Sequence, residues 1–169
     1  MPARFALARP ARAWNIDCMK TLLVAVDFSD ASRHVIDCAA GLARELSARI
    51  VLLHVVEPIS SYVPVGAAMD VIETAPLPVM EEDLKVQQEQ LVRMAMGMEN
   101  VETLAVIGLA ADEIVGQAAE RGAALIVLGS HGRGALYHLF AGSVVTGVIK
   151  RSKVPVLVVP IGGGDKSTL

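Results

Sequence analysis

The sequence predicts an α/β domain, a five-stranded parallel sheet with helices on both faces. Short aliphatic runs alternate with amphipathic stretches of helical period along the chain, which is the pattern of repeated β-α units. Hydrophobic residues make up 53% of the 169 residues while aromatics make up 4%. The core must therefore be built from Val, Ile, Leu and Ala, as suits strands covered on both faces. The length fits one domain with a sizeable core.

Thr21 to Val26 reads as the first strand, ending at Asp27, and Ser29 or Asp30 can cap a helix that runs to about Ser47. Cys38 is expected to be a buried residue of that helix. Ile50 to Val56 makes a second strand. The connection from Glu57 to Pro78 contains Pro58, Pro64, Pro76 and Pro78 and is long for a compact α/β domain; it reads either as a lid or as a variable surface loop. Val79 to Met98 forms the second helix. Val101 to Ile107 is a third strand, Gly108 a turn, and Asp112 to Arg121 a third helix with Ile114, Val115, Ala118 and Ala119 facing inward. Ala123 to Leu128 is the fourth strand and Gly142 to Arg151 the last helix, where Lys150, Arg151 and Lys153 balance the C-terminal end of the dipole. Val154 to Val159 is the fifth strand, bounded by Pro155 and Pro160. Alternation of this kind implies right-handed crossovers.

Residues 1–18 carry Arg4, Arg9 and Arg12 with no acid before Asp17 and no apolar secretory stretch. They read as a disordered N-terminal extension, ahead of a domain over 19–161 and a flexible tail over 162–169. No apolar run approaches the roughly 18 residues of a membrane helix. A net charge of −3 with interspersed signs gives no broad basic field, so neither a membrane nor a nucleic acid is an expected partner. Cys18 and Cys38 cannot make a disulfide framework, and the composition suits a cytoplasmic protein.

The chemistry concentrates in Gly129-Ser130-His131-Gly132, which is followed after nine residues by Gly142-Ser143. Glycines allow the backbone to approach an anion closely, and a helix opening near Gly142 would aim free N–H groups at phosphates. The spacing is not that of a Walker A loop, because no Lys follows a Gly at the required position. Nor is it a dinucleotide fingerprint, although Gly132-Arg133-Gly134 begins one. Phosphate would be held by backbone amides with Ser130 and Ser143. Glycine turn chemistry alone is the competing reading. His131 could meet phosphate or shape the loop, and Arg133 could pair with phosphate or stay solvated. His54, inside the second strand, reads as a packed residue.

Ligands of open parallel sheets bind beyond the strands' carboxyl ends, where connections diverge. If Asp27 and Gly129 share one site, the first and fourth strands are neighbours and the sheet order is 3-2-1-4-5. Asp27 could accept hydrogen bonds from a ribose or adenine, or cap the first helix.

Four segments in order, Val24-Ala25-Val26-Asp27-Phe28-Ser29, Leu53-His54-Val55, Gly108 to Ile114, and the G-x2-G-x9-G-S loop, resemble the universal stress protein family over about Lys20 to Pro160. The resemblance implies a Rossmann-like, adenine nucleotide alpha-hydrolase-like fold, commonly homodimeric. For the subgroup keeping the full glycine motif it implies binding of ATP or another adenine nucleotide, AMP or ADP, with or without Mg. By position, Ala25, Asp27 and Val55 would surround adenine and ribose, Leu128 and Gly129 would border the nucleoside, and Gly132, Gly142, Ser143 and Val144 would line the phosphate path. Ala25 stands where some nucleotide-binding members carry Pro. Val156 to Val159 would be an apolar edge strand with little charge to blunt it, which suits pairing with a symmetry mate.

Three functions follow as expectations. The first is an ATP-binding stress-response dimer with slow or no hydrolysis, since no acid, nucleophile or metal constellation accompanies His131. The second is a nucleotide-independent scaffold, and the third an enzyme that splits nucleotides or transfers AMP. Gly132→Val is expected to abolish ATP binding while the circular dichroism spectrum stays unchanged; calorimetric titration showing retained affinity would remove the loop from the site.

Overall fold

A computed structural model of the chain describes residues 21–58, 60–65, 69–74, 77–130 and 142–161. The expected extension at 1–18 and tail at 162–169 lie outside the described residues. In chain order the elements are β1 (Thr21–Ala25), α1 (Ser32–Glu45), β2 (Arg49–Val56), β3 (Ser60–Val65), β4 (Met69–Thr74), α2 (Leu77–Ala95), β5 (Val101–Ile107), α3 (Ala110–Glu120), β6 (Leu125–Gly129), α4 (Ser143–Arg151) and β7 (Val156–Val159).

Five strands form one sheet in the order β5-β2-β1-β6-β7, every pair parallel. With β3 and β4 left out, this is the 3-2-1-4-5 order that the shared site required. The central strands explain why no polar alternation is visible in them. On β1, Leu22 and Val24 point into one core with Leu52 and Val127, while Leu23 points into the other with Val51, Leu53 and Ile126; all eight are wholly buried. One core is closed by Val35, Ile36 and Ala39 of α1 and Leu91 and Ala95 of α2, and the other by Ile114 and Ala118 of α3 and Val145 and Val148 of α4. Parallel crossovers of one hand must change face when the chain reverses direction along the sheet. The chain moves β1 to β2 to β5 with α1 and α2 on one face, then returns to β6 and β7 with α3 and α4 on the other. The reversal falls between β1 and β6.

Several local expectations are corrected. The 57–78 connection holds a two-stranded antiparallel hairpin, with register from Ser60↔Thr74 to Val65↔Met69. Its strands are short, and Pro64 within the first argues against a strand in sequence, since proline is confined to edges. Neither Ser29 nor Asp30 caps α1: its N-cap is Ala31 with no side-chain cap bond, because Ser29 and Ser32 turn their hydroxyls to Asp27. Cys38 is exposed, since the buried stripe of α1 runs through Val35, Ile36, Ala39 and Ala43. Ala119 is likewise exposed, while Ile114 and Ala118 are buried as expected. The second helix stops at Ala95, with Gly97 at φ +82° just beyond it, the left-handed conformation that ends helices.

Candidate functional site

The carboxyl ends of β1, β2 and β6 open into a cleft of about 610 Å³ at the reversal point. On the β1 side the chain turns sharply into α1. Phe28 sits at φ +58°, a conformation costing a side-chain-bearing residue about 1–2 kcal/mol. Its ring is held against the core and against His54, with centroids 4.2 Å apart at 39°. His54 Nδ1–H donates to Val26 O at 2.8 Å, which fixes the ring's tautomer and orientation at the cleft wall. Asp27 Oδ1 accepts from Ser29 N–H at 3.1 Å, Ser29 Oγ–H at 2.7 Å and Ser32 Oγ–H at 3.0 Å. Asp27 therefore organises the turn ahead of α1 rather than capping the helix, whose N-cap is Ala31, and lines the cleft as well.

On the β6 side Ser130 ties three segments together. Its N–H donates to Val159 O at 2.8 Å, its carbonyl accepts from Gly142 N–H at 3.1 Å, and its Oγ accepts from Ile161 N–H at 2.9 Å. The end of β7, the start of α4 and the end of β6 are thereby fixed to one residue. Ile161 then folds over Gly129, where a Cβ would lie 2.1 Å from Ile161 Cδ1 and 3.2 Å from Val35 Cγ2. A residue larger than glycine at 129 would displace the Ile161 side chain from the cleft wall.

Two helix N-termini meet the cleft and they differ electrostatically. α3 begins with Asp112 and Glu113 in its first turn, and Ala110 N–H donates to Glu57 Oε1 at 3.2 Å. Its dipole is answered from within the chain. α4 has Gly142 as N-cap with no side-chain cap bond, no acid in its first turn, and Lys150 and Arg151 in its last. The first N–H groups of a helix have no intrahelical partner, and their partial positive charge attracts anions. The cleft thus carries an acidic side at Asp27 and Glu57 and an anion-seeking side at Gly142, Ser143 and Val144.

Of the residues singled out in the sequence, Ala25, Asp27, Val55, Leu128, Gly129, Gly142, Ser143 and Val144 line this cleft together. Ser130 stands behind it as the tie. His131, Gly132 and Arg133 lie outside the described residues. Sequence reasoning missed Ser32, Glu57, Ala110 and Ile161 as lining residues. Glu57 had a signal, an acid directly after the carboxyl end of a strand; Ile161 had none, since nothing local marks its return over Gly129. Among the described residues no three His, Cys, Asp or Glu side chains cluster to hold a metal ion, and no helix is long and apolar enough to cross a membrane.

A parallel α/β sheet with a cleft at its switch point and a helix N-terminus without a side-chain cap facing it defines a Rossmann-like domain, with the cleft where ligands of such sheets bind. The family model described as the universal stress protein family matches residues 19–160, and the chain belongs to that family. It is 37% identical over 147 residues to Universal stress protein YxiE of Bacillus subtilis, covering 82% of this chain and 97% of the relative. Its fold matches that of the universal stress protein UspA from Lactobacillus plantarum with a TM-score of 0.64 at 23% identity, covering 83% and 97% of the two chains. A universal stress protein solved in complex with cAMP matches with a TM-score of 0.58 at 26% identity, covering 84% and 97%.

Ser130→Ala removes the acceptor of the Ile161 N–H and is expected to lower unfolding free energy by about 1–3 kcal/mol in urea denaturation, whereas Ser130→Thr keeps most of it. Equal stability of the alanine variant and the parent chain would show that the tie is energetically idle.

Proposed function

We propose that the chain binds an adenine nucleotide in the switch-point cleft and acts as a nucleotide-dependent regulatory dimer with slow or no hydrolysis. The observation that carries this reading is the pairing of an uncapped, acid-free α4 N-terminus with a carboxylate-bearing wall across one cleft. Phosphates go to the Gly142–Val144 backbone and the Ser143 hydroxyl, since the α3 end is already answered by Glu57, Asp112 and Glu113. Adenine and ribose go to the Ala25, Asp27 and Val55 side, bordered by Leu128 and Gly129. The solved relative carrying cAMP supports the choice of adenine nucleotides. Hydrogen bonds to charged phosphate contribute roughly 1.5–3 kcal/mol each, so a few amides and one hydroxyl suffice for micromolar affinity, about −8 kcal/mol. ATP, AMP and ADP all fit this division. Bound Mg would supply charge neutralisation of the phosphates, and the described cleft residues on the α4 side leave that end free of competing acids.

Homodimerisation is the second half of the proposal. β7 is the sheet's outer strand on the α4 side, it carries no charge, and Val156, Leu157 and Val158 are partly exposed. Self-pairing along it covers an otherwise open apolar edge.

Ser143→Asp places a carboxylate at the first position of α4. It is expected to leave the helix as stable or more so, by about 0.3–1 kcal/mol, while weakening ATP binding at least tenfold, about 1.4 kcal/mol. Calorimetric titration in magnesium buffer reads this directly, and unchanged affinity in a folded variant would remove α4 from the phosphate site. Sedimentation of the parent chain at micromolar concentration is expected to give twice the chain mass; a monomer would end the dimer reading without touching the nucleotide one.

A further inference from the structure

The sheet has two outer strands, β7 and β5, and the structure treats them differently. In a parallel ladder an added strand offers every second edge residue one donor and one acceptor: a single incoming residue gives its N–H to one edge carbonyl and takes the N–H two residues further on. On β5 the carboxamide of Gln88, from α2, makes both of these bonds. Its Nε2 donates to Thr103 O at 3.1 Å and to Thr103 Oγ1 at 2.9 Å, and its Oε1 accepts from Ala105 N–H at 2.8 Å. The side chain stands where one residue of a sixth parallel strand, opposite Leu104, would stand. Along β7 no described side chain makes such a bridge. Ile126 N–H bonds Pro155 O and Ser130 N–H bonds Val159 O, so the alternate residues Val156 and Val158 turn their backbone groups outward.

We propose that Gln88 closes the β5 edge against strand addition by a second copy of this chain, and so limits assembly to the β7 edge. The difference matters because of symmetry. Pairing of β7 with its own mate is isologous and stops at two copies, whereas pairing of β7 with β5 is head-to-tail and would continue copy after copy into an open sheet. An apolar four-residue strand on one side and an unguarded parallel edge on the other would be complementary surfaces of that second kind. Gln88 removes the acceptor and the donor that the head-to-tail register needs first. The proposal takes from the dimer reading only that β7 is a pairing edge; the Gln88 bonds stand on their own.

The test uses the full chain with Gln88→Leu and Gln88→Glu, sedimentation over a range of micromolar concentrations, and amide exchange at Ala105 and Val158. Gln88→Leu keeps the side chain's bulk and loses both bonds, and it is expected to form species larger than the parent's, growing with concentration. Gln88→Glu keeps the acceptor for Ala105 N–H and adds a charge that disfavours edge pairing, and it is expected to sediment as the parent does. In the unmodified chain Ala105 should be protected at every concentration, while protection of Val158 rises as copies associate. Should Gln88→Leu sediment like the parent, or should Ala105 of the unmodified chain exchange at the unprotected rate, the proposal is overturned. A parent that stays monomeric with Val158 unprotected removes the β7 pairing edge and overturns the limit to a closed pair together with the dimer reading, while ATP titration of the same sample judges the nucleotide reading separately.

Discussion

Everything in this molecule hangs on the backbone pairing of β1 with β6. Three register pairs, Leu22↔Leu125, Leu23↔Ile126 and Val24↔Val127, join residues about a hundred positions apart in sequence. Each of the six is buried, so a ladder bond lost here would leave its donor and acceptor without water to replace it. That pairing makes β1 central, forces the reversal of direction beside it, and sends α1 and α4 away on opposite faces. The divergence of those two helices is what opens the cleft. The site is thus a by-product of sheet topology, furnished afterwards by side chains.

Those furnishings divide into holders and responders. Asp27 and Ser130 each make three described hydrogen bonds that fix chain segments, and Phe28 is kept in a left-handed conformation by its contacts with His54 and the core. Strain of this sort persists only where surrounding structure over-determines it. The helix end at Gly142 is the opposite case, with no side chain of its own to satisfy it. Among the described residues, that helix end stands beside segments already tied to one another, so the ordering cost of the surrounding frame was met in folding.

The strands and their order were legible in the sequence because the signals were strong and local. Short aliphatic and β-branched runs bounded by turn residues read as buried strands, and placing Asp27 with Gly129 constrained the order through a general rule of open sheets. What could not be read was of a different physical kind. The β3–β4 hairpin was hidden by Pro64 and by short runs. Cys38 and Ala119 were misplaced because a helix turns 100° per residue, and one position of error moves a small side chain from the buried stripe to solvent. The second bond of Ser130 was also hidden: its hydroxyl oxygen accepts from the Ile161 N–H, a partner 31 residues later that no local pattern could announce. Gln88 was hidden in the same way, since its partners Thr103 and Ala105 belong to another element, whereas Glu57 had its place after a strand end as a signal and only its partner Ala110 was hidden.

The Ser130 tie has one more consequence. Ile161 belongs to the cleft wall, yet it lies two residues past the end of β7 and is fastened to the residue that also bonds Val159. An occupant of the cleft and a strand docked on the sheet's outer edge would therefore press on the same few peptide units from opposite sides. Linkage makes such an arrangement reciprocal: whatever factor one occupant imposes on the other's affinity is returned unchanged. Were both surfaces occupied, Ser130 would be the residue through which each meets the other, by its bonds to Val159 and Ile161.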